Sequence, residues 1–165
     1  PVAVTALEDA GRRVHSMMML YDRLYQSADF KDIGVMNYLS SLADEIVSNF
    51  PNSGNVKIIK QIDDFTLDVK RLSNIGIIVN EILTNTMKYA FPGGRNGNIT
   101  ISASLKGRHT VISFHDDGIG IPENINFGNS KGFGLDLVSI LTEQIGGSIR
   151  IERGGGTKFV LEFKV

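Results

Sequence analysis

Nearly every extended stretch of this chain alternates apolar and polar residues. Ile99, Ile101, Ala103 and Leu105 do so, then Ile112, Phe114 and Asp116, and later Ile149/Ile151 and Phe159/Leu161/Phe163. A period of two sends successive side chains to opposite faces of a sheet, so one face is buried and the other is wet. Strands of this kind suit an antiparallel or mixed sheet. A doubly wound parallel sheet needs both faces apolar. The expected fold is α+β: a two-layer sandwich with a mixed, mostly antiparallel sheet and helices on one face, preceded by an N-terminal helix.

The helices announce themselves through a different period. Asp32 to Phe50 places Ile33, Met36, Leu39, Leu42, Ala43, Ile46, Val47 and Phe50 on one face, and Pro51 and Gly54 end it. A long helix is expected from about Leu72 to Tyr89, stopping at Phe91-Pro92-Gly93-Gly94. A third runs from Phe133 to Ile145 and closes at Gly146-Gly147, a pair suited to a left-handed C-cap. Strands are expected near 56–62 and 65–69, joined by a tight turn at Asp63-Asp64. A hairpin over 98–116 turns around Gly107, and another pairs 148–153 with 158–165. Residues 118–131 have no period and read as a loop. At the start, Ala3, Leu7, Ala10, Val14, Met17, Tyr21, Leu24 and Ala28 follow heptad steps, the seam of a coiled coil or bundle. Either this seam packs on the same domain, or its partner lies in another segment or subunit.

With 165 residues the chain is one domain with a short appendage. Lys+Arg number 17 against Asp+Glu 18, which gives no charged surface for nucleic acid or anionic lipid. The absence of cysteine excludes a disulfide framework and fits a reducing compartment. No apolar run approaches the ~20 residues of a membrane helix, so no membrane contact is expected of this segment. The chain opens on Pro1 rather than Met, and is expected to be part of something longer.

Four segments carry candidate chemistry. In Asn80–Ala90, Glu81, Asn85 and Lys88 are spaced four and three apart and share a helix face. Such a triplet is either solvated surface or a metal–phosphate site. In the second case the Asn oxygen suits Mg²⁺, the lysine meets phosphate, and the glutamate orients or accepts a proton. The second segment is Asp116-Asp117-Gly118-Ile119-Gly120. The alternation turns Asp116 towards the covered face, where a carboxylate needs a donor, and a purine amine is one. Asp-Gly is equally a common turn pair. In the third segment, Gly132-Phe133-Gly134-Leu135, glycines before a helix let backbone N–H groups approach phosphate, or simply make a loose helix entry. In the fourth, Gly154-Gly155-Gly156-Thr157 taken alone is an ordinary hairpin turn. There is no P-loop, and Gly132-x-Gly134 makes a poor dinucleotide fingerprint.

The order of these segments is more specific than any one of them. Over about residues 55–165 the chain resembles the GHKL ATPase superfamily, which includes gyrase B, MutL-type ATPases and histidine kinases. Its N box lies at 80–90, its G1 box at 116–120, its G2 box at 132–135 and its glycine-threonine box at 155–157. The run Ile77–Asn85 with Lys88-Tyr89-Ala90-Phe91-Pro92 is similar to histidine kinases whose acceptor region reads His-His-Arg-Val-Lys-Asn-Asn. Arg12-Arg13-Val14, Met18, Leu24-Tyr25 and Tyr38–Leu42 also look like that group.

The resemblance implies a Bergerat-type ATP-binding catalytic domain at 31–165. Residues 1–30 would be the second helix of a dimerisation domain, and the first helix, with its acceptor histidine, would be missing. It implies ATP and Mg²⁺ as cofactors, with Asn85 on the metal and Glu81 as base or orienting group. Lys88 and Tyr89 would lie at the phosphates, and Asp116 at the adenine amine with Thr157 nearby. Gly118, Gly120, Gly132 and Gly134 would shape the pocket and hinge a lid, with Leu135 completing the G2 box. Lys131 is a candidate for the terminal phosphate, and Phe127 is the only aromatic residue in the short lid loop. Implied partners are the acceptor helix of the parent chain and a downstream response regulator, with a homodimer through residues 3–28 as a further option. The implied location is cytoplasmic, in a parent with or without a membrane anchor. His15, His109 and His115 stand in no acceptor motif, so this chain is expected to bind ATP without phosphorylating itself. The rival readings are a serine kinase of the anti-sigma-factor type and a non-catalytic, nucleotide-gated dimerisation module.

Overall fold

The computed structural model describes Gly11, residues 33–127 and residues 133–165. The heptad stretch over residues 3–28, His15, Lys131 and Gly132 therefore lie outside the described residues.

Among the described residues the order is β1 (Ile33–Gly34), α1 (Val35–Ser48), β2 (Val56–Ile62), β3 (Thr66–Leu67), α2 (Val69–Tyr89), β4 (Gly97–Lys106), β5 (His109–Asp116), α3 (Phe133–Gln144), β6 (Ser148–Arg153) and β7 (Thr157–Lys164). Five strands form one sheet in the order β2-β4-β5-β7-β6. The β2–β4 pairing is parallel and the other three are antiparallel, so the sheet is mixed and mostly antiparallel, as the alternation requires.

The buried side of the sheet carries Ile99, Ile101 and Ala103 of β4, Ile112 and Phe114 of β5, and Phe159, Leu161 and Phe163 of β7. The helices lay their apolar stripes on it: Leu39, Leu42 and Ile46 from α1, Leu72, Ile75, Ile78, Ile82 and Leu83 from α2, and Leu135, Val138 and Leu141 from α3. Each fully buried Leu or Ile contributes roughly 1.5–3 kcal/mol over its exposed state, and this single apolar layer orders the domain.

Local signals set the ends of the helices. Asp68 caps α2 by accepting the Arg71 N–H at 2.9 Å, so the helix begins at Val69 rather than near Leu72. At the end of α3, Gly146 takes φ 68, its N–H reaches the Glu143 carbonyl at 2.9 Å and the Gly147 N–H reaches Thr142 at 3.0 Å. That is the left-handed cap expected of the glycine pair.

The expected pairing of 56–62 with 65–69 is corrected. β2 runs parallel to β4, and the Asp63 N–H continues that pairing to the Ala103 carbonyl at 2.9 Å. β3 instead pairs with β1, Ile33 opposite Leu67. The Asp63-Asp64 turn leads the chain out of the main sheet, and β3 has only two residues before Asp68 caps α2. The last strand also begins one residue earlier than expected, at Thr157.

Candidate functional site

The face of α2 that carries the polar triplet is graded in depth. Glu81 is 1 % exposed, Asn85 is half-buried and Lys88 is exposed. The middle of the helix lies under neighbouring elements, and towards its C-terminal end this face comes out to solvent. Tyr89, next to Lys88, is 67 % exposed.

Asp116 closes β5. It stands on the same side as Ile112 and Phe114 and is 4 % exposed. Its register partners are Ile99 on β4 and Thr157 on β7. Oδ1 accepts the Gly118 N–H at 3.0 Å and the Thr157 N–H at 3.3 Å. Both hydrogen bonds converge on one oxygen, and no described group donates to Oδ2. Burial pushes the Asp116 carboxyl above the usual carboxylate range, and the two N–H donors pull it part of the way back. The result is a desolvated acceptor with one oxygen fixed and the other available to an N–H donor.

The loop after Asp116 fastens β5 to the end of α2. The Ile119 N–H donates to the Ala90 carbonyl at 3.0 Å. A side chain on Gly118 would meet the Ala90 Cβ and carbonyl oxygen at 2.5 Å, which only glycine avoids. Asn85 lies about a turn and a half before Ala90 on the same helix. The carboxylate-bearing strand end and the amide-bearing helix therefore meet on one side of the molecule.

Thr157 joins them through its main-chain N–H, and Gly120 lies against the Gly156 carbonyl. Gly134 and Leu135 are buried in the first turn of α3. Among the described residues no group of three or more His, Cys, Asp or Glu is placed to hold a metal. A neutral Asn oxygen beside phosphate oxygens is a donor set that suits Mg²⁺ better than a protein cage would. His109 is exposed. His115 lies in register between Thr100 and Lys158, on the opposite face from Asp116.

Sequence reasoning missed the contacts that three residues make beside the site. Gly156 has φ 109, and a Cβ there would collide with the Asp116 carbonyl oxygen. Asp117, next to the buried carboxylate, holds Asn98 through both oxygens at 2.7 Å. Arg153 reaches back to residues 125 and 126. Gly156 and Asp117 fall inside the glycine-threonine and G1 boxes that the resemblance marks, but their contacts carried no signal of their own, and Arg153 carried none at all.

Comparison with known proteins shows which family this fold belongs to. Residues 70–165 match the family described as histidine kinase-, DNA gyrase B- and HSP90-like ATPase, and residues 1–50 match a family described as histidine kinase. The blue-light-activated histidine kinase 2 of Erythrobacter litoralis is 29% identical over 153 residues, covering 90% of this chain and 44% of that protein. The sensor histidine kinase PdtaS of Mycobacterium tuberculosis is 29% identical over 165 residues, covering 97% of this chain and 32% of that protein. The chain thus spans less than half the length of these curated relatives. The solved histidine kinase domain of the Erythrobacter litoralis EL346 blue-light activated histidine kinase superposes with a TM-score of 0.80 at 27% identity, over 93% of this chain and 73% of that one. The family match covers more than half of the chain and takes in the polar face of α2, Asp116 and the β7 turn, and this chain belongs to the family of histidine kinase-, DNA gyrase B- and HSP90-like ATPases.

Proposed function

We propose that this chain is the ATP-binding catalytic domain of a sensor histidine kinase, which transfers the γ-phosphoryl group of Mg-ATP to a histidine on a dimerisation helix. The carrying observation is the seat of Asp116: a buried carboxylate with one oxygen fixed by Gly118 and Thr157, beside the end of the helix that bears Asn85. In this reading Oδ2 of Asp116 accepts the exocyclic amine of adenine. Asn85 holds Mg²⁺, whose charge offsets that of the phosphate oxygens. Glu81, one turn earlier and out of water, orients the groups around Asn85. Lys88 and Tyr89 line the open, phosphate end, and Lys131 and Gly132 are assigned to the same phosphates from the sequence alone. Gly118, Gly120 and Gly134 allow close approach of backbone to ligand, and Leu135 packs the first turn of α3 beneath it. Little covalent chemistry is asked of such a protein. Positioning and charge neutralisation supply most of the catalysis.

Residues 1–30 are assigned to the dimerisation domain, the segment that would meet its counterpart in a homodimer, and residues 31–165 to the catalytic domain. The acceptor histidine, a response regulator and a cytoplasmic location belong to the same proposal. The histidine-kinase match over residues 1–50 favours this reading over a serine kinase of the anti-sigma-factor type.

The test is calorimetric titration with ATP, with and without Mg²⁺, of the wild type, Asp116→Asn and Asn85→Ala. Asp116→Asn is expected to weaken binding under both conditions. Asn85→Ala should remove only the gain that Mg²⁺ confers. Phosphate transfer to an added dimerisation domain, but not to the chain itself, is the expected activity. Equal affinity of all three proteins would remove both assignments.

A further inference from the structure

The turn between β6 and β7 grips the loop that follows Asp116 at more than one place. At its C-terminal side the Thr157 N–H holds Asp116, and Gly156 packs on the Asp116 carbonyl. At its N-terminal side the Arg153 guanidinium donates to the Ile125 carbonyl at 2.6 Å and to the Asn126 side-chain oxygen at 3.0 Å. One strand further in, Phe127 meets Phe159 of β7 edge-to-face, with ring centroids 6.3 Å apart. Between these points the loop has little regular structure. The Ile125 N–H returns to the Pro122 carbonyl at 3.1 Å, and Asn126 Nδ2 to the Glu123 carbonyl at 3.3 Å. Residues 122–124 and 126 are exposed. Ile121, Ile125 and Phe127 anchor it on the core, and the Arg153 bonds to Ile125 and Asn126 set the path of the exposed backbone between those anchors.

We infer that Arg153 is a positioning residue for nucleotide binding: by tying Ile125 and Asn126 to the β6–β7 turn, it fixes the 121–127 segment relative to Asp116. The inference rests on the ATP-binding reading given above. Arg153 is itself exposed and fills no part of the core, so its effect is on loop placement rather than on folding. Asp116 is held by Gly118 and Thr157 without it. Loss of Arg153 therefore leaves the adenine seat intact and disturbs the part of the site reached later along the chain, towards the first turn of α3 where phosphate is expected.

The experiment compares wild type, Arg153→Ala, Arg153→Lys and Asn126→Ala for ATP and for adenosine, by NMR titration, with thermal unfolding measured alongside. Arg153→Ala is expected to weaken ATP about 3- to 10-fold, the worth of a pair of charge-assisted hydrogen bonds partly exposed to water. Adenosine should be bound within about 2-fold of wild type. Arg153→Lys should recover part of the ATP affinity, and Asn126→Ala, which removes one acceptor, should show a smaller loss for ATP alone. Wild-type ATP affinity retained by Arg153→Ala overturns the inference and leaves the ATP-binding reading standing. An equal loss for both ligands with a lowered melting temperature also overturns it, since Arg153 would then be structural. A wild type that binds neither ligand overturns the ATP-binding reading itself.

Discussion

Two neighbouring carboxylates serve two regions of this molecule in opposite ways. Asp116 belongs to the sheet–helix junction. It is buried, takes both hydrogen bonds on one oxygen, and is pushed up by desolvation. Asp117, just past the end of β5, fastens the connection between α2 and β4. Its two oxygens hold the main-chain and side-chain nitrogens of Asn98, its N–H donates to the Asn98 carbonyl at 3.2 Å, and its own carbonyl accepts from Arg95 at 3.1 Å. The Asn98 bonds hold its carboxyl below the usual range. It borders an open polar groove of about 450 Å³ that also includes Lys57 and Asn96. A carboxylate with both oxygens engaged by one neighbour stabilises the fold and is committed to that contact. A buried one whose bonds fall on a single oxygen costs stability and keeps the other oxygen in reserve. One step along an extended strand reverses the direction of a side chain, and here it separates a binding group from a structural one.

The contrast can be broken most forcefully at Gly156. Gly156→Ala must place a Cβ against the Asp116 carbonyl while holding φ 109, so a stability loss of about 3 kcal/mol or more is expected in chemical denaturation. A tolerated substitution would mean that the Asp116 seat is not rigid. Next comes Asp116→Asn, with a nucleotide affinity about 10- to 100-fold lower and a stability equal to or above wild type at neutral pH. The sign follows from the raised carboxyl. Burying the ionised form has a cost that is absent below 3.8 and complete above the folded-state value, and the amide removes it. Nucleotide binding should for the same reason weaken on acidification earlier than an ordinary carboxylate would require. The smallest effect is expected at Asp117→Ala: about 1 kcal/mol less stable after allowance for solvent, with nucleotide affinity unchanged. Its carboxyl is lowered, so its contribution is complete above 3.8 and is lost as pH falls through the lower folded-state value. Loss of nucleotide affinity in Asp117→Ala would erase the distinction.

The layer architecture and the buried direction of Asp116 were legible in the sequence because both follow from a period of two. The helix face with Glu81, Asn85 and Lys88 was legible for the same kind of reason, although not its gradient of depth, which depends on how the helix lies across the sheet. Two things were hidden. The partner of β2 is set by a crossover, and the sequence between 62 and 66 looks like any tight turn. The roles of Gly156, Asp117 and Arg153 arise from contacts between segments far apart in the chain: Gly156 with Asp116, Asp117 with Asn98, Arg153 with Ile125. No local pattern encodes such contacts.

The lone parallel pairing, β2 on β4, bears on how the chain assembles. Every other neighbour pair but β5–β7 can zip from a short reversal, whereas Val56 meets Gly97 only after the whole of α2 has been laid down between them. Closing so long an excursion is slow, since its entropy is lost before the contacts form. The β5–β7 pairing closes an equally long excursion, through α3 and β6 between Asp116 and Thr157, so the rim strand and the seat of Asp116 share the same entropic cost of assembly.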